Sequence, residues 1–300
     1  MRLNPIVKKD LKVSARSMRL SWGLLLYEGI LTLAFLLAVL IIQEESSYIY
    51  NDGNVYGSLV YLFPVIAIVQ VCIVALITPI ITASSISGEK ERQTFDIMLT
   101  TCMSPFSIVL GKVISAVMRI LFYVIASLPI MALSFVVGGL SWSYLLYYIL
   151  TIILLAVFSG SIGILCSSLC RKSITAVILS FGIYSVVYGL TFLPLLLKAI
   201  FGSGKMGETM LVLLFNPGVF FEEFFMHMLV GESVISEVGS YGKNDMGAIS
   251  YVLAQGKTWV FVSAGCIVLL SFLFLLAAAW RVNPMNAPTR KVKKQRKEAE

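Results

Sequence analysis

Side chains able to do covalent or metal chemistry are scarce in this chain. His227 is its only histidine, and the five cysteines (Cys72, Cys102, Cys166, Cys170, Cys266) all fall within or beside apolar stretches. Cys166 and Cys170 are spaced to share a helix face, but two thiols fall short of the four ligands of a structural zinc. No metal centre, cofactor site or disulfide framework is therefore expected. Gly202-Ser203-Gly204-Lys205-Met206 imitates a phosphate loop, yet Ala199 stands where that motif needs glycine and Met206 where it needs Ser or Thr, with no strand ahead of it. Gly160-Ser161-Ile162-Gly163 is not a nucleophile elbow, and His227 has no plausible serine partner. The sequence predicts a protein that is not an enzyme.

What chemistry remains is charge in unusual places. Residues 88–104 run Gly88-Glu89-Lys90-Glu91-Arg92-Gln93-Thr94-Phe95 and on through Met98, Leu99 and Cys102 to Ser104-Pro105. Phe95, Met98, Leu99 and Cys102 at i, i+3, i+4 and i+7 predict a helix with one apolar and one charged face, suited to docking. Ser104 is the expected cap of the next helix and Pro105 its first residue. Glu28 and Arg119 each interrupt an apolar run, at about 10 Å from the same face at about 1.5 Å per residue, so the sequence allows either an ion pair between them or an Arg119 that snorkels to the interface. Glu222 and Glu223 lie in a third apolar stretch, just after Asn216-Pro217-Gly218.

The elements that position these groups follow from composition. Of 300 residues 58% are hydrophobic and only 13% charged, with a mean hydropathy of +0.91. A soluble domain carries about 25% charge, so the chain belongs in a bilayer. Apolar runs near 21–42, 59–83, 106–137, 144–169, 174–197 and 258–280 are each long enough to span it. Six spans leave no room within these residues for a nucleotide-binding domain. The first run is too long for a signal-peptide core and lacks a small-residue cleavage site, so it should stay as a span.

The net charge of +7 does not indicate nucleic acid, because it sorts by loop. Eighteen of the 23 Lys and Arg fall in 1–20, 84–112, 171–172 and 281–300, against four in the alternate loops. The positive-inside rule then makes both termini cytoplasmic. Residues 1–20 read as an amphipathic helix on the inner leaflet, with Asn4 as cap, Pro5 first, and Lys8, Lys12, Arg16 and Arg19 along one face. Residues 284–300 read as a basic cytoplasmic tail near anionic lipid. Ala156, Gly160, Gly163 and Ser167 give the fourth span a small-residue face for close helix packing. In the long connection 201–256, a seventh span would place the basic tail outside and strand Glu222 and Glu223 in hydrocarbon. A re-entrant pair of short helices broken at Asn216-Pro217 avoids both, and is expected to cap the outer mouth; a soluble outer lid is the alternative.

The chain resembles an ABC-type-2 exporter permease, the membrane subunit of an ATP-binding-cassette transporter. The resemblance is carried by Asn4-Pro5-Ile6-Val7-Lys8-Lys9-Asp10-Leu11, by the segment from Gly88 to Thr101, and by Ile108-Val109-Leu110-Gly111-Lys112. It is closest to the prokaryotic branch linked to multi-copper enzyme maturation and gliding motility, although the chain carries no copper-ligand cluster. The resemblance implies an all-α membrane protein of six spans in domain 21–283, with residues 1–20 as an elbow, 88–104 as a cytoplasmic coupling helix, and short outer helices in 201–256. It implies a dimer with a second copy or a paralogue, in a prokaryotic plasma membrane, driven by a separate cytoplasmic ATPase that holds ATP and magnesium. Glu89, Glu91 and Arg92 would face that ATPase, and Phe95, Met98 and Leu99 would seat the helix. The rivals are a secondary carrier, which needs buried ionisable groups at the midplane, and a membrane anchor or sensor that moves nothing.

Overall fold

The computed structural model describes residues 5–48, 62–95, 104–137, 142–193, 196, 200, 211–229, 235 and 258–283. Within them the chain is helical: α1 (Pro5–Ala15), α2 (Met18–Tyr48), α3 (Leu62–Glu91), α4 (Pro105–Val137), α5 (Trp142–Leu169), α6 (Ser173–Gly189), α7 (Pro217–Leu229) and α8 (Thr258–Val282). A 3-10 turn at Leu190–Phe192 extends α6, and another at Val212–Phe215 precedes α7. Six helices are long and apolar enough to cross a bilayer, at Leu20–Glu44, Leu62–Glu91, Pro105–Ser134, Ser143–Leu169, Ser173–Phe192 and Thr258–Val282. They match the six apolar runs of the sequence.

The interfacial helix is shorter than 1–20. It stops at Ala15, and Ser17 begins α2: the Leu20 N–H donates to the Ser17 carbonyl at 3.1 Å and to its Oγ at 3.4 Å. α1 rests on α4, burying Ile6 and Val7 while Lys8, Lys9 and Lys12 stay exposed.

α5 is the central helix, packed against α3, α4, α6 and α8. Lipid offers no hydrophobic drive between helices, so contact depends on close approach and hydrogen bonding. Gly160 and Gly163 supply the approach, both lying against Thr82 of α3. Ser167 adds a stitch, its Oγ accepting the backbone N–H of Ile86 at 2.9 Å and of Ser87 at 2.8 Å. Pro79 interrupts the backbone ladder of α3, and the buried hydroxyls of Thr78, Thr82 and Ser87 are satisfied within the helix by donating to the carbonyls of Val74, Thr78 and Ala83. α2, α6 and α8 lie at the periphery and expose Leu33, Leu40, Ile174, Ile178, Phe261 and Leu269, an apolar outside suited to hydrocarbon.

A β-carbon at Gly163 would stand 2.8 Å from Thr82 Cβ and 3.3 Å from the Ala83 amide nitrogen, whereas one at Gly182 would meet nothing within 4 Å. Gly163→Ala should therefore cost about 1–3 kcal/mol through overpacking, and Gly182→Ala should cost nothing. Thermal midpoints of the two purified variants in one detergent check this contrast.

Candidate functional site at the charged end of the bundle

Glu91, Pro105, Leu169 and Ser173 end or begin their helices at one end of the bundle, where the chain's described charges collect. Three consecutive residues on the last turn of α3 point in three directions, because successive helical side chains are set about 100° apart. Each is fastened to a different neighbour.

Glu89 reaches inward. Its Oε1 lies 2.7 Å from Nζ of Lys112 on α4, and the same ammonium lies 3.0 Å from Oδ2 of Asp10 on α1. Ser115 donates its Oγ to Asp10 as well, at 3.3 Å. The Lys112 side chain is 5% exposed, so this cation is held in place by two carboxylates from two other elements. Lys90 turns to α5, where Nζ donates to the carbonyls of Ser167, Ser168 and Cys170. Those are carbonyls that a helix C-terminus leaves unpaired, and a cation there also meets the negative end of the helix dipole. Glu91 turns to α6, accepting the backbone N–H of Ser173 at 3.3 Å and its Oγ at 2.8 Å. A carboxylate at a helix N-terminus is the favourable charge for that dipole.

Beyond Glu91 the helix ends in a Schellman turn. The Thr94 N–H donates to the Glu89 carbonyl at 2.9 Å, the Gln93 N–H to the Lys90 carbonyl at 3.2 Å, and Gln93 takes φ 60°. Within the expected segment 88–104, residues 88–91 are thus the last turn of the span and a left-handed residue separates them from Phe95, which is itself helical; residues 96–103 lie outside the described residues. Phe95 is half-buried, packs beside Ile86, Val109 and Val113, and receives Lys90 Nζ at 5.6 Å from its ring centroid. Met98 and Leu99 lie outside the described residues. The next helix starts as expected, with the Ser107 N–H donating to Ser104 Oγ at 3.2 Å and Pro105 at the first position.

An open cavity of about 780 Å³ lies beside this anchor, lined by Lys9, Ser84, Ser85, Gly88, Glu89, Glu91, Arg92, Thr94 and Ser173. Of the three charged residues expected to face a partner, Glu89 and Glu91 are spent on the bundle. Arg92 is exposed, and the described ion pairs do not include it. Asp10, Lys90 and Lys112 stand in the stretches that carry the resemblance but were given no role there, and Ser173 was not singled out.

The ion pair that the sequence allowed between Glu28 and Arg119 is not formed. Arg119 Nε donates to the Ser115 carbonyl at 3.3 Å, and the charge it interacts with is Asp10. On α2 it is Tyr27, next to Glu28, that meets α4, packing edge-on against Tyr123 with ring centroids 5.3 Å apart.

At the opposite end, Asn216 caps α7 as expected, its Oδ1 accepting the N–H groups of Gly218 at 2.8 Å and Val219 at 3.4 Å, with Pro217 first in the helix. Its Nδ2 donates to the Tyr188 carbonyl at 3.2 Å and Thr191 Oγ1 at 2.6 Å, fastening α7 to the end of α6. The limb before it is described from Leu211, which is helical, through a 3-10 helix at Val212–Phe215, and residues 201–210 lie outside the described residues; Pro217 holds Asn216 extended at ψ 113°, and Ser263 Oγ donates to the Leu214 carbonyl at 2.8 Å. Phe220, Phe221 and Phe225 enter the core beside Phe63 and Tyr148. Glu222 is exposed, while Glu223 is buried, 3.6 Å from His227 Nε2 and accepting the Ile235 N–H at 3.4 Å.

Such a bundle defines a multi-pass helical membrane protein with most of its described charge at one end. A family model described as ABC-2 family transporter protein matches residues 40–280, and the chain belongs to that family. It is thus a membrane permease subunit of an ABC transporter, a transport rather than a catalytic subunit, from a family that works with an ABC ATPase. No curated protein matches the chain significantly.

Replacing Lys112 by Met would leave Asp10 and Glu89 facing each other without a counter-ion. Loss of one partner from a buried pair costs about 3–5 kcal/mol, and less here because both carboxylates are partly exposed. Lys112→Met should lower the thermal midpoint, Lys112→Arg should lower it less, and combining Lys112→Met with Asp10→Asn and Glu89→Gln should recover much of the loss.

Proposed function

We propose that this chain forms the substrate pathway of an ATP-driven exporter as one half of a dimer, with an identical or paralogous second permease. A separate cytoplasmic ATPase carries ATP and magnesium. The charged end is the cytoplasmic one, a placement supported by the positive-inside bias, and the membrane is the plasma membrane of a prokaryote. The motif from Gly88 to Thr101 supports kinship with the branch linked to multi-copper enzyme maturation and gliding motility; copper is not carried over as substrate or cofactor.

The observation that carries the coupling role is the three-way fastening of Glu89, Lys90 and Glu91. Force applied to the segment after Gln93 reaches α1, α4, α5 and α6 through these residues without passing through flexible chain. Arg92 and the cavity beside it offer the exposed charge and space that a partner element would engage, while Phe95, Met98 and Leu99 seat the segment against the bundle. α1 serves as an elbow at the inner leaflet, and α7 with the turn before it caps the outer mouth as a re-entrant element.

Arg92→Gln removes the exposed charge without adding a like charge beside Glu91 and should leave folding nearly unchanged while weakening ATPase association. Phe95→Ala with Leu99→Ala should leave the protein in the membrane but uncouple it. Co-purification with the ATPase and transport-dependent ATP hydrolysis are the readouts. A double variant that retains both removes the coupling assignment.

A further inference from the structure

The open cavity of about 780 Å³ at the charged end is lined by charges of both signs that the fold keeps apart. Lys9 enters it from α1 and Glu91 and Arg92 from the end of α3, and no ion pair among the described residues joins them. Arg92 is exposed, and the described hydrogen bonds of Glu91 use only its Oε2. The hydroxyls around them have given up their protons. Ser84 donates to the carbonyls of Ile80 and Ile81 at 3.1 and 3.2 Å, Thr94 to that of Glu89 at 3.3 Å, and Ser173 to Glu91 at 2.8 Å. What these oxygens still offer is lone pairs. The lining is therefore matched by one molecule that brings an anion to Lys9 and Arg92 and N–H donors on a cation to Glu91 and the hydroxyls.

A glycine keeps this space open. Gly88 lines the cavity in the last turn of α3, where alanine is the better helix former, and a β-carbon there would meet only Ser173 Oγ within 4 Å, at an ordinary 3.5 Å. Position along α3 then says which molecules reach it. A hydrocarbon core of about 30 Å takes about 20 helical residues at about 1.5 Å each. Counted from Leu62 it ends near Ile81, so the cavity lies at headgroup depth. Leu76, Ile80, Ser84, Gly88 and Arg92 succeed one another every fourth residue on one helix face. Leu76 and Ile80 are exposed and apolar, and from Ser84 onward the row lines the cavity. One ridge thus runs from a surface for acyl chains into a polar chamber.

We infer that this cavity seats the head of a phospholipid that carries a primary ammonium, a phosphatidylethanolamine. Lys9 and Arg92 hold its phosphate, Glu91 and the hydroxyl oxygens take its ammonium, and its chains lie along Leu76 and Ile80. A head with phosphate alone would leave Glu91 facing an anion, and a quaternary ammonium would bring no N–H to the oxygens. The site goes beyond the permease reading and does not depend on it; the ATPase meets Arg92 at the cytoplasmic rim, with lipid behind it.

The probe is dioctanoyl phosphatidylethanolamine, titrated into the delipidated full-length permease and counted by native mass spectrometry. Phosphatidylcholine and phosphatidylglycerol with the same chains, and phosphoethanolamine without chains, are the comparisons. Phosphatidylethanolamine should fill one saturable site, with the other two lipids weaker by about tenfold or more, the worth of a hydrogen bond to a charged group, and phosphoethanolamine weaker still. Gly88→Leu should abolish the site by filling it, and Lys9→Gln should weaken it about tenfold. Glu91→Gln, which keeps an acceptor for Ser173, should erase the preference over phosphatidylcholine. Lys12→Gln, exposed on α1 but outside the lining, should change nothing. Equal binding of phosphatidylcholine, or of phosphoethanolamine, overturns the site. So does undiminished phosphatidylethanolamine binding by Gly88→Leu or Lys9→Gln in a protein that keeps its thermal midpoint; if Gly88→Leu loses the ATPase while still binding the lipid, the cavity belongs to the partner protein instead.

Discussion

A single helical turn at the end of α3 holds the charged end of this protein together. Its three residues reach Lys112, the C-terminal carbonyls of α5 and the first amide of α6. The arrangement depends on placing charge where the dielectric is neither that of water nor that of lipid. An ion pair in water is worth about 1 kcal/mol or less, whereas an unpaired charge at the centre of a span costs about 2.5–3.5 kcal/mol on insertion scales. At the boundary the Lys112 pairs gain strength from partial burial while their carboxylates keep some water. The two dipole-directed contacts follow the same logic, since helix ends expose partial charges of fixed sign. Removing the turn would leave Lys112 with Asp10 of α1 as its one described carboxylate and would unfasten α3 from the ends of α5 and α6.

How much of this was legible depends on the distance over which each feature is encoded. The spans and both proline caps are local, written in runs of apolar residues and in Ser104-Pro105 and Asn216-Pro217, and they stand where the sequence put them. The small-residue face of α5 was equally plain in Gly160, Gly163 and Ser167. The ionic anchor joins residues far apart, 102 positions between Asp10 and Lys112 and 82 between Glu91 and Ser173. No periodicity reports such a meeting.

One misreading comes from a break that carries no composition signal. Gln93 takes the left-handed conformation usually given to glycine, so the pattern read on from Gly88 into the stretch that begins at Phe95. The ion pair between Glu28 and Arg119 failed for a different reason, because depth along two helices says nothing of which faces they turn to each other. Arg119 finds Asp10 below it, and Glu28 is left among Tyr27 and its neighbours.

The close seating of Thr82 against Gly160 and Gly163 has a kinematic meaning. Two helices whose backbones interlock side chain into notch do not slide past one another, because translation by even a fraction of a turn drives the threonine methyl into a new residue. Helices α3 and α5 therefore travel as one piece, an axle with no slip along its length. α2, α6 and α8 in contrast turn leucines and isoleucines outward, a face along which lipid chains can slide without meeting a notch.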